Sequence, residues 1–148
     1  MVGGPLGGLL GFVAGNLFEK GTENDAAAIT KGLTEFEVHL IVLASHLAKI
    51  DGKVALSEIN FLNSFLNAHF DDKYAAERSR VINHCLQHEY DLNIACDQIR
   101  MHTPHPTRIQ VVRFLFDFAM CDSELNEREN YFIFRIAGYI NVNDIDFK

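Results

Sequence analysis

Four carboxylates recur in this sequence at matched places. Asp51 and Glu58 lie in A-K-I-D-G-K-V-A-L-S-E-I-N-F-L (residues 48–62), and Asp122 and Glu129 lie in A-M-C-D-S-E-L-N-E-R-E-N-Y-F-I (residues 119–133). The offset is constant and gap-free, so Ala48 pairs with Ala119, Val54 with Leu125 and Leu62 with Ile133. Hard oxygen donors brought together across such a repeat suit a divalent cation, or a basic segment of a partner. The spacing is not that of the calcium loop D-x-D-x-D-G. The same residues also have a purely structural reading. Each Glu falls at the third helical position, where it completes a capping box, and each Asp can satisfy backbone donors in its own tight turn. The candidate metal set is therefore Asp51, Glu58, Asp122 and Glu129, with helix capping as the competing account.

Other chemistry-bearing residues are sparser. His84 and His88 form an i, i+4 pair beside Cys85, and His102 and His105 flank Pro104. That spacing suits zinc, but no third ligand stands at a set distance. The cysteines, Cys85, Cys96 and Cys121, are odd in number, form no C-x-x-C pair and sit among apolar neighbours. They read as buried free thiols in a reducing compartment. There is no G-x-S-x-G, no P-loop, no dinucleotide turn and no Cys-His signature, so a non-enzyme is expected, with a divalent cation as the one cofactor to consider. A net charge of -7 argues against a nucleic-acid partner, which would need clustered Lys and Arg.

The elements that must position these residues are helices. At 148 residues and 48% hydrophobic, the chain is long enough for a single domain with a substantial core. Thr34 opens a helix with the capping box T-E-F-E, and residues 36–50 are apolar too widely for one exposed face, so this helix must be central. Asp51-Gly52 ends it. A one-sided helix follows over about 56–69, with Ile59, Leu62, Leu66 and Phe70 inward. Asp71 and Asp72 are expected to cap a third helix reaching about His88, and Asp91 opens a fourth that stops near Thr103-Pro104-His105-Pro106. Thr107 is expected to cap a fifth, apolar nearly all round over 109–120 and hence a second central helix. Asn126 to Glu129 is another capping box, opening a sixth through Phe132, Ile133, Ile136 and Ile140, and Asn143 would cap a seventh. No stretch alternates as a strand. The twelve phenylalanines fall at helical spacing and read as core. The expected fold class is all-α: a single-domain bundle of about seven helices, with a pseudo-twofold repeat of a helix-turn-helix unit and short connections making sequential helices neighbours.

Ahead of this domain, residues 1–18 are apolar, uncharged and glycine-rich. Gly4, Gly8, Gly11 and Gly15 recur every three or four residues, which on a helix makes a flat stripe suited to close helix packing in a membrane or to homodimerisation. The run is at the lower limit for crossing a bilayer. Residues 19–32 are polar and read as a linker, leaving 33–148 as the compact domain.

The A-K-x-D-G-K-V-x-x-x-E-I motif at 48–59, its second copy at 119–130 and the R-I-A-G-Y-I run at 135–140 resemble the TerB-like domain, named for tellurite resistance. With the G-G-P-L-G-G-L-L-G-F-V-A-G-N-L-F start, nearly the whole chain is similar to the N-terminal part of DjlA-type membrane-anchored co-chaperones. The resemblance implies a seven-helix bundle with pseudo-twofold symmetry. It also implies a cytoplasmic location at the inner face of the inner membrane, and partnership with the Hsp70 system through a J domain outside these residues. The J-domain signature His-Pro-Asp is not matched by His105-Pro106-Thr107, and Ala55 stands where a capping Ser or Thr is expected. Two functions follow: an interaction or regulatory domain of a co-chaperone, or a stand-alone metal-responsive stress protein binding a divalent cation at the doubled acids.

Overall fold

A computed structural model of the chain describes residues 32–121 and 125–143. Among them lie six α-helices and one 3-10 turn, with no strand: α1 (Glu35–Ala48), α2 (Leu56–His69), the 3-10 turn Asp72–Tyr74, α3 (Ala75–Gln87), α4 (Leu92–His102), α5 (His105–Ala119) and α6 (Glu127–Tyr139). The glycine-rich segment, the acidic residue Asp122 and the expected seventh helix lie outside the described residues.

Helix α1 is the axis of the domain. Every residue from Glu37 to Ser45 is buried, and the helix packs against α2, α3, α4 and α5. The other helices bury only one side, as their one-sided patterns require. Helix α5 was expected to be a second central helix, apolar nearly all round, but Gln110, Arg113, Asp117 and Met120 form an exposed stripe at i, i+3, i+7 and i+10. Its inward face, Val111, Val112, Phe114, Leu115, Phe118 and Ala119, packs on α1, α2 and α6. The polar residues interrupting its apolar run are thus on one side, and α5 covers the core rather than filling it. Sequential packing also holds only in part. Helices α3, α4 and α5 rest principally on α1 rather than on one another, because an all-round apolar helix offers each of them a separate face.

Two helix starts differ from expectation. Asp71 accepts from the Lys73 N–H and caps the 3-10 turn, so α3 begins only at Ala75. Helix α5 starts at His105, not after Thr107: Pro104 is the N-cap and Pro106 falls in the first turn, where its missing N–H has no intrahelical partner to lose. The polar ends of the other helices are satisfied from a distance. Lys49 Nζ donates to the Cys85 and His88 carbonyls at the end of α3, 3.1 and 2.8 Å away. Arg108 does the same for α4 through the Thr103 carbonyl at 2.6 Å. Cations at helix C-termini also oppose the helix dipole favourably.

The most buried charge is Arg78, at 0% exposure on α3. Its Nε donates to Glu37 Oε1 at 2.7 Å, one Nη to Asn67 Oδ1, and the other to the Asp71 carbonyl at 2.8 Å. Glu37 spends its second oxygen on the Thr34 N–H, 2.8 Å away, closing the capping box expected for α1. Gly32, at φ +90°, lies so closely under the Tyr74 ring that an added Cβ would clash with it. Only glycine fits there.

Removing one member of a buried pair leaves the other charge without its partner. Arg78→Met should therefore cost about 3–5 kcal/mol in urea unfolding. Adding Glu37→Gln should recover part of that loss; strictly additive costs would show that the two side chains act independently.

Candidate functional site

The helix starts that follow the two acid-bearing stretches are capped alike but not identically. After α1, the Gly52 N–H donates to the Lys49 carbonyl at 3.0 Å, and Gly52 takes φ +80°, a left-handed conformation that suits its place after Asp51. The chain then extends through Ala55, whose N–H donates to Glu58 Oε1 at 2.9 Å. Half a capping box results, since alanine offers no side-chain acceptor in return. In the second copy both halves are present: Asn126 Oδ1 accepts from the Glu129 N–H at 2.8 Å, and Glu129 Oε1 accepts from the Asn126 N–H at 3.1 Å. Glu58 and Glu129 are each only 6% exposed. Both glutamates thus bind their own helix starts, as the capping account requires.

The turns themselves meet. Asn126 Nδ2 donates to Asp51 Oδ2 at 3.0 Å, and Cys121 Sγ approaches the Ser57 carbonyl at 3.9 Å. Asp51, Asn126, Glu127 and Arg128 border an open concavity of about 350 Å³ on this surface. Asp51 is exposed, so its remaining lone pairs face solvent. Of the four candidate ligands, the structure brings Asp51 to the second turn and directs Glu58 and Glu129 to caps, while Asp122 lies outside the described residues. Among the described residues no group of three or more His, Cys, Asp and Glu is arranged to hold a metal ion.

The histidine pair takes a structural place. The His84 and His88 rings stack with centroids 4.2 Å apart, and His88 Nδ1 lies 3.0 Å from the His84 carbonyl. His46 Nε2 meets the Tyr90 carbonyl at 2.9 Å and so ties the α3–α4 loop to α1. None of the three cysteines is in a disulfide. Cys85 and Cys96 are buried, and burial pushes both thiols up to about 12, away from the reactive thiolate; Cys121 is only partly covered.

One feature was not read from the sequence. Between α1, α2 and α5 runs an apolar groove of about 210 Å³ lined by Phe36, Leu40, Phe65, Phe70, Val111 and Phe114, with Arg113 and Asp117 on its rim. Phe65 packs on His69 and Phe114, with centroids 4.1 and 4.5 Å apart. The half-burial of Phe36, Phe65 and Phe70 distinguishes them from core rings, and helical spacing alone carries no such signal.

Residues 37–148 match the family model described as tellurite resistance protein TerB. No curated protein and no solved structure matches the chain. The matched span holds both turns and all the helices around α1, whose first two residues alone precede it. No helix among the described residues is long and apolar enough to cross a membrane.

Because Ala55 caps α2 without a side-chain acceptor, Ala55→Ser should raise stability by about 1 kcal/mol, and Asn126→Ala should lower it by a similar amount. Urea midpoints at constant slope would check both. No gain from the serine would mean that the first turn cannot accept the geometry of the second.

Proposed function

The chain belongs to the tellurite resistance protein TerB family, and from that membership we propose that it is a non-enzymatic interaction module whose contact surface lies where its two turns meet. The observation that supports this reading is the Asn126–Asp51 hydrogen bond. It joins the turn after α1 to the start of α6, and so brings Asp51 and Glu127 onto one exposed surface of a chain of net charge -7. A basic partner segment matches that surface, since complementary charge speeds encounter and selects the partner. Glu58 and Glu129 support the turns from beneath, and Asp51 and Glu127 are the exposed acids that would meet the partner.

In its fuller form the proposal places this module in a DjlA-type co-chaperone. Residues 2–18 would contact the cytoplasmic face of the inner membrane, and a J domain outside this chain would act on Hsp70. The G-G-P-L-G-G-L-L-G run beside the D-G-K-V motif supports that context. The pseudo-twofold relation of the two helix-turn-helix units belongs to the same reading and is supported by the matched capping of α2 and α6. The alternative is a stand-alone metal-responsive stress protein that binds a divalent cation at Asp51, Glu58, Asp122 and Glu129, with the capping bonds of the two glutamates using one carboxylate oxygen each.

Affinity capture with the full chain should recover a partner whose yield falls at least tenfold with Asp51→Lys and Glu127→Lys together and recovers at low salt with the native chain. Equal capture by the charge-reversed chain would sink the proposed surface. Titration with calcium or magnesium to millimolar levels should leave the melting temperature unchanged; a rise that vanishes in Asp51→Asn would favour the metal-responsive reading instead.

A further inference from the structure

The other end of α1, about 20 Å from the turns along a 14-residue helix, holds a second polar cluster. Glu35 and His39 stand one helical turn apart on α1, facing Gln98 and His102, also one turn apart, on α4. These four side chains line one small cavity of about 40 Å³ together with Ile99 and Thr103. Glu35 is 2% exposed, His39 3% and Gln98 8%. Both carboxylate oxygens of Glu35, Nδ1 of His39 and Oε1 of Gln98 are buried and have no hydrogen-bond partner within the protein.

Buried polar atoms in folded proteins are nearly always paired, so unpaired atoms on three side chains around one cavity call for an occupant. These atoms are acceptors: two carboxylate oxygens, an amide oxygen and an imidazole nitrogen that carries a lone pair in one tautomer. What completes them is a strong donor or a cation. The cavity is far below the several hundred Å³ of an organic ligand site and has room for one ion with a water.

We propose that Glu35, His39 and Gln98 form a binding site for one borderline divalent cation of the zinc, nickel or cobalt class. Mixed imidazole and carboxylate donors suit that class, whereas calcium and magnesium take oxygen-only shells of six or more ligands. Among the described residues no three His, Cys, Asp or Glu side chains are already arranged as a metal cluster. The site reaches three donors through the amide oxygen of Gln98, with His102 as an exposed imidazole on the same cavity. The protonation states fit. Burial, and secondarily the charge of His102, pushes His39 down to about 4, so its imidazole is neutral near pH 7. Burial pushes Glu35 up to about 7. This site shares no residue with the two turns and stands independently of the interaction reading.

Calorimetric titration of the full chain with zinc chloride at pH 7.5 is expected to show one ion per chain. Binding should be weakened at least tenfold in Glu35→Gln and in His39→Gln, variants whose folding is verified by melting. Cobalt should give the visible absorption of nitrogen and oxygen ligation, lost in His39→Gln. Absence of stoichiometric zinc binding would mean that the cavity holds only water and overturns the site. Loss of binding in His88→Gln or Asp122→Asn, with His39→Gln unaffected, overturns it as well by returning the ion to the histidine pair or to the doubled acids.

Discussion

The ion pair of Glu37 and Arg78 is the constraint on which the rest of this fold depends. A helix as apolar as α1 must be enclosed, and enclosure carries its first turn, with its unpaired N–H groups, away from water. Glu37 meets that demand with one oxygen on Thr34 N–H, but a lone carboxylate at 3% exposure is itself costly. Arg78 offsets the cost from α3 and then distributes its own donors to Asn67 near the end of α2 and to the backbone before the 3-10 turn. Four consecutive pieces of chain are thereby fixed around one guanidinium. A hydrophobic replacement of the whole group could be as stable, so what the pair supplies beyond stability is a single arrangement of α1, α2 and α3.

That arrangement explains why the two copies of the repeat behave differently. In the first copy the helix before the turn is the enclosed axis. In the second it is α5, whose exposed Gln110, Arg113 and Asp117 show that it lies at the perimeter. The helix after each turn, α2 or α6, then covers its partner from outside. Sequence similarity between the copies lies in the turn and its caps, which depend on local geometry, whereas burial depends on what the remaining helices leave uncovered. The apolar groove between α1, α2 and α5 is a product of the same asymmetry: Phe36, Phe65 and Phe70 are only half enclosed where α5 turns its polar stripe outward.

What could be read in the sequence follows this division between local and distant causes. Thr34 to Glu37 and Asn126 to Glu129 announced their capping boxes because every atom involved lies within three residues. The enclosure of α1 was legible from the breadth of its apolar surface. Arg78 was not, since a charged residue in a helix reads as solvent-facing and its partner Glu37 lies 41 residues away. The early start of α5 was missed because two prolines read as a break, although a proline in the first turn costs no hydrogen bond. Glu35 was hidden by a rule that is usually right: an acid in a first turn is expected to sit in water and complement the helix dipole. Only the packing of α4 over it shows a carboxylate enclosed with an imidazole and an amide.

The two ends of α1 consequently offer different recognition chemistry. At its C-terminal end Asp51 is exposed, so any attraction it exerts is weakened by water and falls with salt over a Debye length of about 8 Å at physiological ionic strength. Such a surface selects partners by the sum of many weak contacts and favours charged segments of macromolecules. At its N-terminal end the acceptors are buried and have no partner within the protein, so an occupant of the proposed site would meet them directly. A cavity of that size would select by size and ligand geometry and admit only something as small as an ion or a water. Because one helix carries both, held at its start by Glu37 and Arg78, occupancy of the proposed site at Glu35 would act on the same turn of α1 that anchors the fold. Binding there would then be coupled to stability, whereas contact at the exposed acids would not.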